Sequence, residues 1–295
     1  QIIETKNAEG VVNDTYILIC GVSNADNVKG MKIENVILWD NGATEWYTYA
    51  ADEANAANRI KLEDAMKADF SETVSITRIA LDGEGTATKP YLIKTAEDLK
   101  NLAQLVNTGY NFEGKYIMQT ADIDLKSEEW TPIGTSVIPF RGVYDGKNFK
   151  ISNLKITKPT QFLGLFGYVE SGFTAEAGLA NINLDGKIEL ASAINGGGIG
   201  GLCGWLYKDS VDIGNQVTED PEGKYAKSLF AVNCNVDVDV TVEAAGNQPR
   251  VGGVFGYAFC ATVDNVVNNG DVKVNSTSTV RVGGISGQSN RVTFK

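Results

Sequence analysis

The chain has 295 residues, 43% of them hydrophobic and 21% charged, ample for a sizeable buried core in one large or two ordinary domains. With 26 Lys+Arg against 37 Asp+Glu its formal charge is −11, which repels phosphate backbones and anionic lipid, so nucleic-acid binding is not expected. Histidine is absent, and with it imidazole zinc sites, Ser-His-Asp triads and Cys-His pairs.

No apolar run approaches the ~20 residues that a membrane-spanning helix needs, and no basic and apolar leader opens the sequence. The expectation is a soluble, processed segment without direct membrane insertion. Residues 1–80 hold separate strand-like runs at Thr15–Cys20, Lys32–Trp39, Glu45–Tyr49, Arg59–Glu63 and Thr73–Leu81, with a turn signal at Asp40-Asn41-Gly42. They predict a small β-sandwich-like domain, incomplete at its N-terminus, in which Ala50–Asn58 reads equally as loop or short helix.

From residue 81 the pattern changes. Thr95–Val106 is an amphipathic helix with Leu99, Leu102, Ala103 and Val106 on one side. Thr95 is its N-cap candidate, Glu97 and Asp98 place negative charge in the first turn, and Gly109 is a candidate stop. It reads as a cap, at about 95–107, over the first coil of a repetitive region on its C-terminal side.

Gly164-Leu165-Phe166-Gly167, Gly201-Leu202-Cys203-Gly204, Gly253-Val254-Phe255-Gly256 and Gly284-Ile285-Ser286-Gly287 share a G-Φ-x-G pattern, Φ being apolar. Their starts are 37, 52 and 31 residues apart, a period typical of solenoids and arrays. The long gap assigns Tyr207–Ser228 to an extruded loop. A second repeat, Asn181-Ile182-Asn183, Asn233-Cys234-Asn235 and Asn265-Val266-Val267, leads into alternating strands. Stacking the repeats puts Ile182, Cys234 and Val266 in one column, Ile188, Val240 and Val272 in another, and Leu190, Val242 and Val274 in a third, all inward. Lys187, Asp239 and Asp271, and then Glu189, Thr241 and Lys273, face water. Columns recurring once per turn are what a parallel β-helix requires, whereas a propeller blade needs more strand than ~31 residues supply. The expected fold for 81–295 is a right-handed parallel β-helix, the hand following the crossover rule.

The sequence also contains Gly85-Thr86, Pro90-Tyr91-Leu92-Ile93, Phe112-Glu113-Gly114-Lys115-Tyr116, Asp122-Ile123-Asp124-Leu125, Trp130-Thr131-Pro132-Ile133-Gly134 and Phe140-Arg141-Gly142-Val143-Tyr144-Asp145-Gly146 ahead of the G-Φ-x-G copies. As an ensemble over roughly 83–295 it resembles the GLUG-repeat β-helix proteins of bacterial surfaces. Similar modules occur in secreted adhesins, in the non-catalytic N-terminal regions of immunoglobulin A-cleaving metallopeptidases, and in secreted or lipid-anchored proteins of Bacteroides-like bacteria. The resemblance implies a surface scaffold at the cell exterior rather than a defined reaction. The peptidase zinc motif needs histidines, so that activity does not carry over. Residues 1–80 lie outside the resemblance and are only faintly similar to fimbrillin-type sandwiches.

Following each G-Φ-x-G stand Tyr168, Trp205, Tyr257 and then Gln288, so stacking aligns three aromatics about one strand spacing (~4.8 Å) apart. Tyr168, Trp205 and Tyr257 are the candidate ligand-binding residues, as an exposed strip for a glycan; a ladder that only packs a corner is the competing reading. Carboxylate catalysis is the alternative function, a lyase or hydrolase using Asp122 with Asp124, Asp237 with Asp239, or Asp264 with Asp271. Period-two spacing of that kind is also what a solvated strand face gives, so no catalytic residue is assigned and the chain is expected not to be an enzyme. Asp122-Ile123-Asp124 is too short a signal for calcium, and no metal or cofactor is expected. Cys20, Cys203, Cys234 and Cys260 are even in number, which permits disulfides, but Cys203 and Cys234 fall in columns shared with hydrophobes. Reduced, buried thiols are expected, with Cys234 and Cys260 the pair to examine first. The resulting expectation is a monomeric, adhesin-like binding module for a glycan or a host or surface protein; a stalk carrying some larger protein's active domain is the architectural alternative.

Overall fold

A computed structural model of the chain describes residues 81–171, 175–191, 195–208, 228–243, 246–276 and 278–295 in full, together with the backbone of five earlier strands. The chain divides into two compact units, 1–81 and 82–295.

In the first unit, β1 (Ile2–Lys6) pairs antiparallel with β2 (Val12–Ile17), with a register shift at Thr5/Lys6. β3 (Asn35–Asp40) forms a parallel pair with a later strand, and β4 (Glu45–Thr48) lies antiparallel on the other edge of β1. That later strand is β5 (Ser75–Ala80). Three of the predicted runs are shifted by two or three residues at one or both ends and β1 was not anticipated, because strand ends are set by pairing register as much as by hydrophobic runs. The predicted run Arg59–Glu63 and the stretch Ala50–Asn58 lie outside the described residues.

The second unit is β-rich with one helix among the described residues. It opens with β6 (Tyr91–Ile93) and α1 (Ala96–Asn107). Thr95 caps α1 through a reciprocal box: its side chain accepts from the Asp98 backbone N–H, and the Asp98 carboxylate accepts from the Thr95 backbone N–H. Leu99, Leu102, Ala103, Leu105 and Val106 are buried. After Thr108, Gly109 takes a φ of +129° and the Tyr110 N–H reaches back to the Leu105 carbonyl, ending the helix where glycine permits it.

Strands then recur turn by turn: β7 (Tyr116–Gln119) and β8 (Ile123–Asp124); β9 (Val143–Asp145) and β10 (Lys150–Ile156); β11 (Phe162–Leu163), β12 (Phe166–Glu170), β13 (Ala177–Ala180) and β14 (Asn183–Leu190). The next turns hold β15 (Gly198–Gly200), β16 (Cys203–Tyr207) and β17 (Leu229–Val242); β18 (Arg250–Gly252), β19 (Phe255–Phe259), β20 (Thr262–Asn268) and β21 (Val272–Val274); and β22 (Arg281–Gly283), β23 (Ser286–Asn290) and β24 (Thr293–Phe294). They assemble into three parallel sheets. One runs β11-β15-β18-β22, the second β12-β16-β19-β23, and the third collects eleven strands around β17. Each strand of the two short sheets pairs with the equivalent strand of the next turn.

The glycine signature has a steric cause. A Cβ on Gly201 would stand 2.6 Å from the Gly253 carbonyl oxygen of the next turn, and one on Gly164 would stand 2.5 Å from that of Gly200. The backbone of one turn occupies the side-chain space of the turn before it. An earlier copy lacks the signature: Ile133 bridges to Phe166 and Phe140 to Val169, so Trp130–Gly134 takes the same place one turn before.

The predicted columns are in register. Ile188, Val240 and Val272 align, as do Leu190, Val242 and Val274, and Cys234 with Val266. The first two members of each aligned triplet are buried. Phe140, Phe166 and Tyr144 are wholly buried and pack together, with ring centroids 5.3 and 5.6 Å apart around Phe166. The Tyr144 hydroxyl donates to buried Gln119 Oε1 at 3.2 Å, and Gln119 Nε2 donates to the Ala121 carbonyl at 2.8 Å, so the polar atoms of this buried pair are satisfied.

At the asparagine repeat, Asn181, Asn233 and Asn265 all sit in the left-handed region, at φ of 52°, 53° and 49°. Their amides form a chain: Asn265 Nδ2 donates to Asn233 Oδ1 at 3.0 Å, Asn233 to Asn181 at 3.1 Å, and Asn181 to the Asp145 carboxylate at 2.8 Å. Asparagine serves twice here, tolerating the turn and bonding the next one.

Candidate functional site

The outer face of β12-β16-β19-β23 carries the candidate residues. Val169, Leu206 and Ala258 are wholly buried, and the positions on either side of them point the other way. That outer face aligns Tyr168, Trp205, Tyr257 and Gln288 in one column, and Glu170, Tyr207, Phe259 and Asn290 in the next. Trp205 lies 5.6 Å from Tyr168 and 4.9 Å from Tyr257, ring centre to ring centre, and Tyr207 stacks on Phe259 at 5.2 Å and 18°. Phe162 of β11 closes one side, edge-on to Tyr168 at 5.1 Å and near-edge-on to Trp205 at 5.2 Å.

The strip is wider and less open than the three-residue ladder anticipated. Tyr168 and Tyr257 retain only 7% and 8% of their surface, so the expectation of three freely exposed rings is corrected: neighbouring rings cover two of them. Trp205, Tyr207, Phe259 and Phe162 remain part-exposed. Tyr207 and Phe259 were missed, although each lies two residues beyond a predicted member and shares its face. A glycine makes room for the indole: a Cβ on Gly198 would stand 2.7 Å from Trp205 Nε1.

Charge is distributed unevenly along the strip. At the Tyr168 end, Arg141 Nη2 donates to Glu170 at 2.5 Å and the guanidinium lies 3.7 Å from Glu113. At the other end, Arg250 has its guanidinium carbon 5.4 Å from the Trp205 ring centre and 5.2 Å from that of Tyr257, and Nε donates to Gln288 Oε1 at 2.6 Å. Burial raises the Tyr257 phenol above its ordinary pKa, and the Arg250 charge opposes that shift. Arg291 lies over Phe259 at 6.0 Å.

The alternative sites are less developed. Asp122, Asp124, Asp237, Asp239 and Asp271 are exposed and Asp264 is part-exposed. Asp122 accepts from the Lys150 N–H, Asp239 from the Asp271 N–H, and Asp271 pairs with Lys273 at 3.1 Å. Asp124 is held below the usual carboxylate range by hydrogen bonds from the Asn153 amide and the Lys126 N–H, opposite to what a general acid needs. Among the described residues no group of three or more acidic or cysteine side chains is placed to hold a metal. Cys203, Cys234 and Cys260 are free thiols, so the pairing singled out for examination is not formed; Cys20 lies outside the described residues. Burial pushes the Cys234 thiol up to about 12 and raises those of Cys203 and Cys260. A cleft of about 380 Å³ lies beside α1, lined by Lys100, Asn107 and Trp130, and another of about 370 Å³ runs along the asparagine ladder. Of the loop predicted at Tyr207–Ser228, residues 209–227 lie outside the described residues.

Fold and site together define a glycine-cornered, repetitive parallel β-structure with an aromatic face. No protein-family model matches the sequence. The chain is 35% identical over 138 residues to a protein of Evansella cellulosilytica named "Putative Gly-rich membrane protein"; the match covers 45% of this chain and 15% of that relative, so the chain spans a small part of the relative's length. Among solved structures it is similar to a putative immunoglobulin A1 protease from Bacteroides ovatus, at 21% identity and a TM-score of 0.45, covering 72% of this chain and 66% of that one. No helix among the described residues is long and apolar enough to cross a membrane.

Proposed function

We propose that the chain is a non-catalytic binding module of a bacterial surface protein, with residues 82–295 forming a right-handed parallel β-helix of GLUG type capped by α1. Strands of three sheets recurring in the same order, each paired in parallel with its counterpart in the next repeat, support the solenoid reading. A domain of its own, sandwich-like in our reading, precedes it. The relative named as a Gly-rich membrane protein supports an envelope location, exposed at the cell exterior and anchored by lipid or by other parts of a longer protein.

The partner is a glycan, and the observation that carries this reading is the aromatic face. Five aromatic rings, Tyr168, Trp205, Tyr207, Tyr257 and Phe259, occupy two adjacent columns on the outer side of one sheet, where an ordinary solvated face would be polar. The part-exposed members, Trp205, Tyr207 and Phe259, offer a sugar chain's C–H groups apolar surface that Tyr168 and Tyr257 back from beneath, with Gln288 and Asn290 supplying amides beside it. The module acts as a monomer and needs no cofactor.

The test is binding of the purified chain to a broad glycan array, alongside Trp205→Ala and the Trp205→Ala/Tyr257→Ala double variant, with circular dichroism to verify folding. Glycan binding that is lost in folded variants is the expected result. Binding unchanged by both variants moves the site off this face, and binding to host matrix proteins with none to glycans replaces the glycan partner.

A further inference from the structure

Across the corner from the aromatic strip, β11-β15-β18-β22 aligns Phe162, Gly198, Arg250 and Arg281 in one column. Phe162 packs on Tyr168, Gly198 lies against Trp205, Arg250 lies over Tyr257 and bonds Gln288, and Arg281 occupies the same column position seven residues ahead of Gln288. In the earlier turns the neighbour is an aromatic ring and then a bare backbone; in the last two it is a guanidinium. Arg250 and Arg281 are in direct register, so their backbones lie about one strand spacing (~4.8 Å) apart and two like charges leave the sheet side by side.

Such a pair in a chain of formal charge −11 calls for a counter-ion. Arg141, at the opposite end of the same strip, has Glu170 and Glu113. Among the described residues neither Arg250 nor Arg281 has a carboxylate partner. Arg250 donates only to the neutral Gln288 amide, and burial followed by the Arg281 charge disfavours its protonated form. Arg281 Nη1 is buried with no acceptor, and so is Trp205 Nε1. Buried donors without partners are rare in folded proteins, which sets this corner apart from the satisfied Arg141 end. Both arginines are part-exposed, so their remaining donors are reachable from solvent.

Resting on the glycan reading above, we propose that Arg250 and Arg281 form an anion subsite at one end of the aromatic strip, and that the ligand is an acidic sugar chain. Its carboxylate or sulfate group sits on the two guanidinium groups while adjacent sugar rings lie along the part-exposed Trp205, Tyr207 and Phe259. Guanidinium forks match the paired oxygens of either anion, and their placement over aromatic rings holds them while keeping the outer donors free. The strip then has a direction: a neutralised ion pair beside Tyr168, and two guanidinium groups without a carboxylate partner among the described residues in the turns of Tyr257 and Gln288.

Matched oligosaccharide pairs test this by isothermal titration calorimetry at low and high salt: uronate oligomers with their methyl esters, and sulfated oligomers with their desulfated forms. Expected is binding of an acidic member, weakened by salt, and lowered by about tenfold to a hundredfold both on removing its charge and in Arg250→Gln/Arg281→Gln. Arg250→Lys, which keeps the charge and loses the fork, should fall between. Preference for uronate or for sulfate identifies which anion is taken. Equal binding of acidic and neutral members, abolished in Trp205→Ala but unchanged in the arginine variants, overturns the anion subsite and leaves the glycan reading standing. Binding of none of these oligosaccharides overturns the subsite, and an array that is also blank overturns both. Should the double glutamine variant misfold, arginine Nε–H shifts of the unmodified protein titrated with the same uronate oligomers decide the matter: shifts of Arg250 and Arg281 support the subsite, and their absence refutes it.

Discussion

Replacing Asn233 with alanine should destabilise the second unit by about 2–3 kcal/mol, and the structure divides that loss in two. Asn233 holds φ at +53°, a conformation that costs an ordinary L-residue roughly 1–2 kcal/mol. Its amide also donates to Asn181 and accepts from Asn265, at 3.1 and 3.0 Å. Both bonds are exposed, so water re-satisfies the partners and each loss is worth only about 0.5 kcal/mol, the low end for a hydrogen bond. Asn233→Gly removes the same bonds without the conformational penalty and should be roughly 1 kcal/mol less harmful than alanine. Asn235→Ala is the control: Asn235 accepts from Asn269 Nδ2 at 2.6 Å from a regular strand position, and its loss should cost about 0.5 kcal/mol. Urea unfolding of the three variants, compared at equal m-values, measures the differences. If Asn233→Ala proves no worse than Asn235→Ala, or glycine as harmful as alanine, the left-handed turn is not what the asparagine is there for.

Phe166→Ala removes a wholly buried ring between Phe140 and Tyr144 and should cost about 3–5 kcal/mol in the same assay. For Asp145, burial alone would raise the carboxyl, but hydrogen bonds from Asn181 and Lys147 and the Lys147 charge outweigh it and hold the group below its ordinary value. Its unfolded form therefore binds the proton more readily, so the stability it contributes is present above the ordinary carboxylate range and is lost as pH falls through the depressed folded value; Asp145→Asn should flatten the acid limb of a stability-against-pH curve and leave neutral pH less affected. In a Cys20→Ser background a thiol reagent at pH 8 should label Cys260 slowly and spare Cys203 and Cys234 until urea exposes them, because the last two are buried and burial raises all three thiols. Fast labelling of all three in the native protein would contradict the register that places Cys203 with Phe166 and Phe255.

How far sequence reaches into this molecule depends on what its physics repeats. Ile188 over Val240 over Val272 was legible because every turn must bury the same positions, and period two fixes which positions those are. The G-Φ-x-G corners were legible because the close approach of one turn to the next excludes a Cβ at Gly164, Gly201 and Gly253. The turn at Trp130–Gly134 was not, since Ile133 and Phe140 join the ladder through isolated bridges without the glycine signature. Asn181, Asn233 and Asn265 served as alignment marks, yet their left-handed backbone and amide chain are properties of stacked turns, invisible in any one of them. For the site the same rule applies more severely. Tyr168, Trp205 and Tyr257 came from a column within one sheet, and Tyr207 and Phe259 were within reach of the same alternation. Arg250 and Arg281 were not, because they belong to a different sheet and meet the strip only where the chain folds across a corner, seven residues ahead of Tyr257 and Gln288. A repeat alignment reveals what each turn shares, and the proposed anion subsite lies in what the turns of Arg250 and Arg281 do not share with the others: where earlier turns have phenylalanine or glycine, these have arginine. The specificity of a repetitive scaffold is therefore best sought at positions whose column is broken, with the unbroken columns read as the scaffold itself.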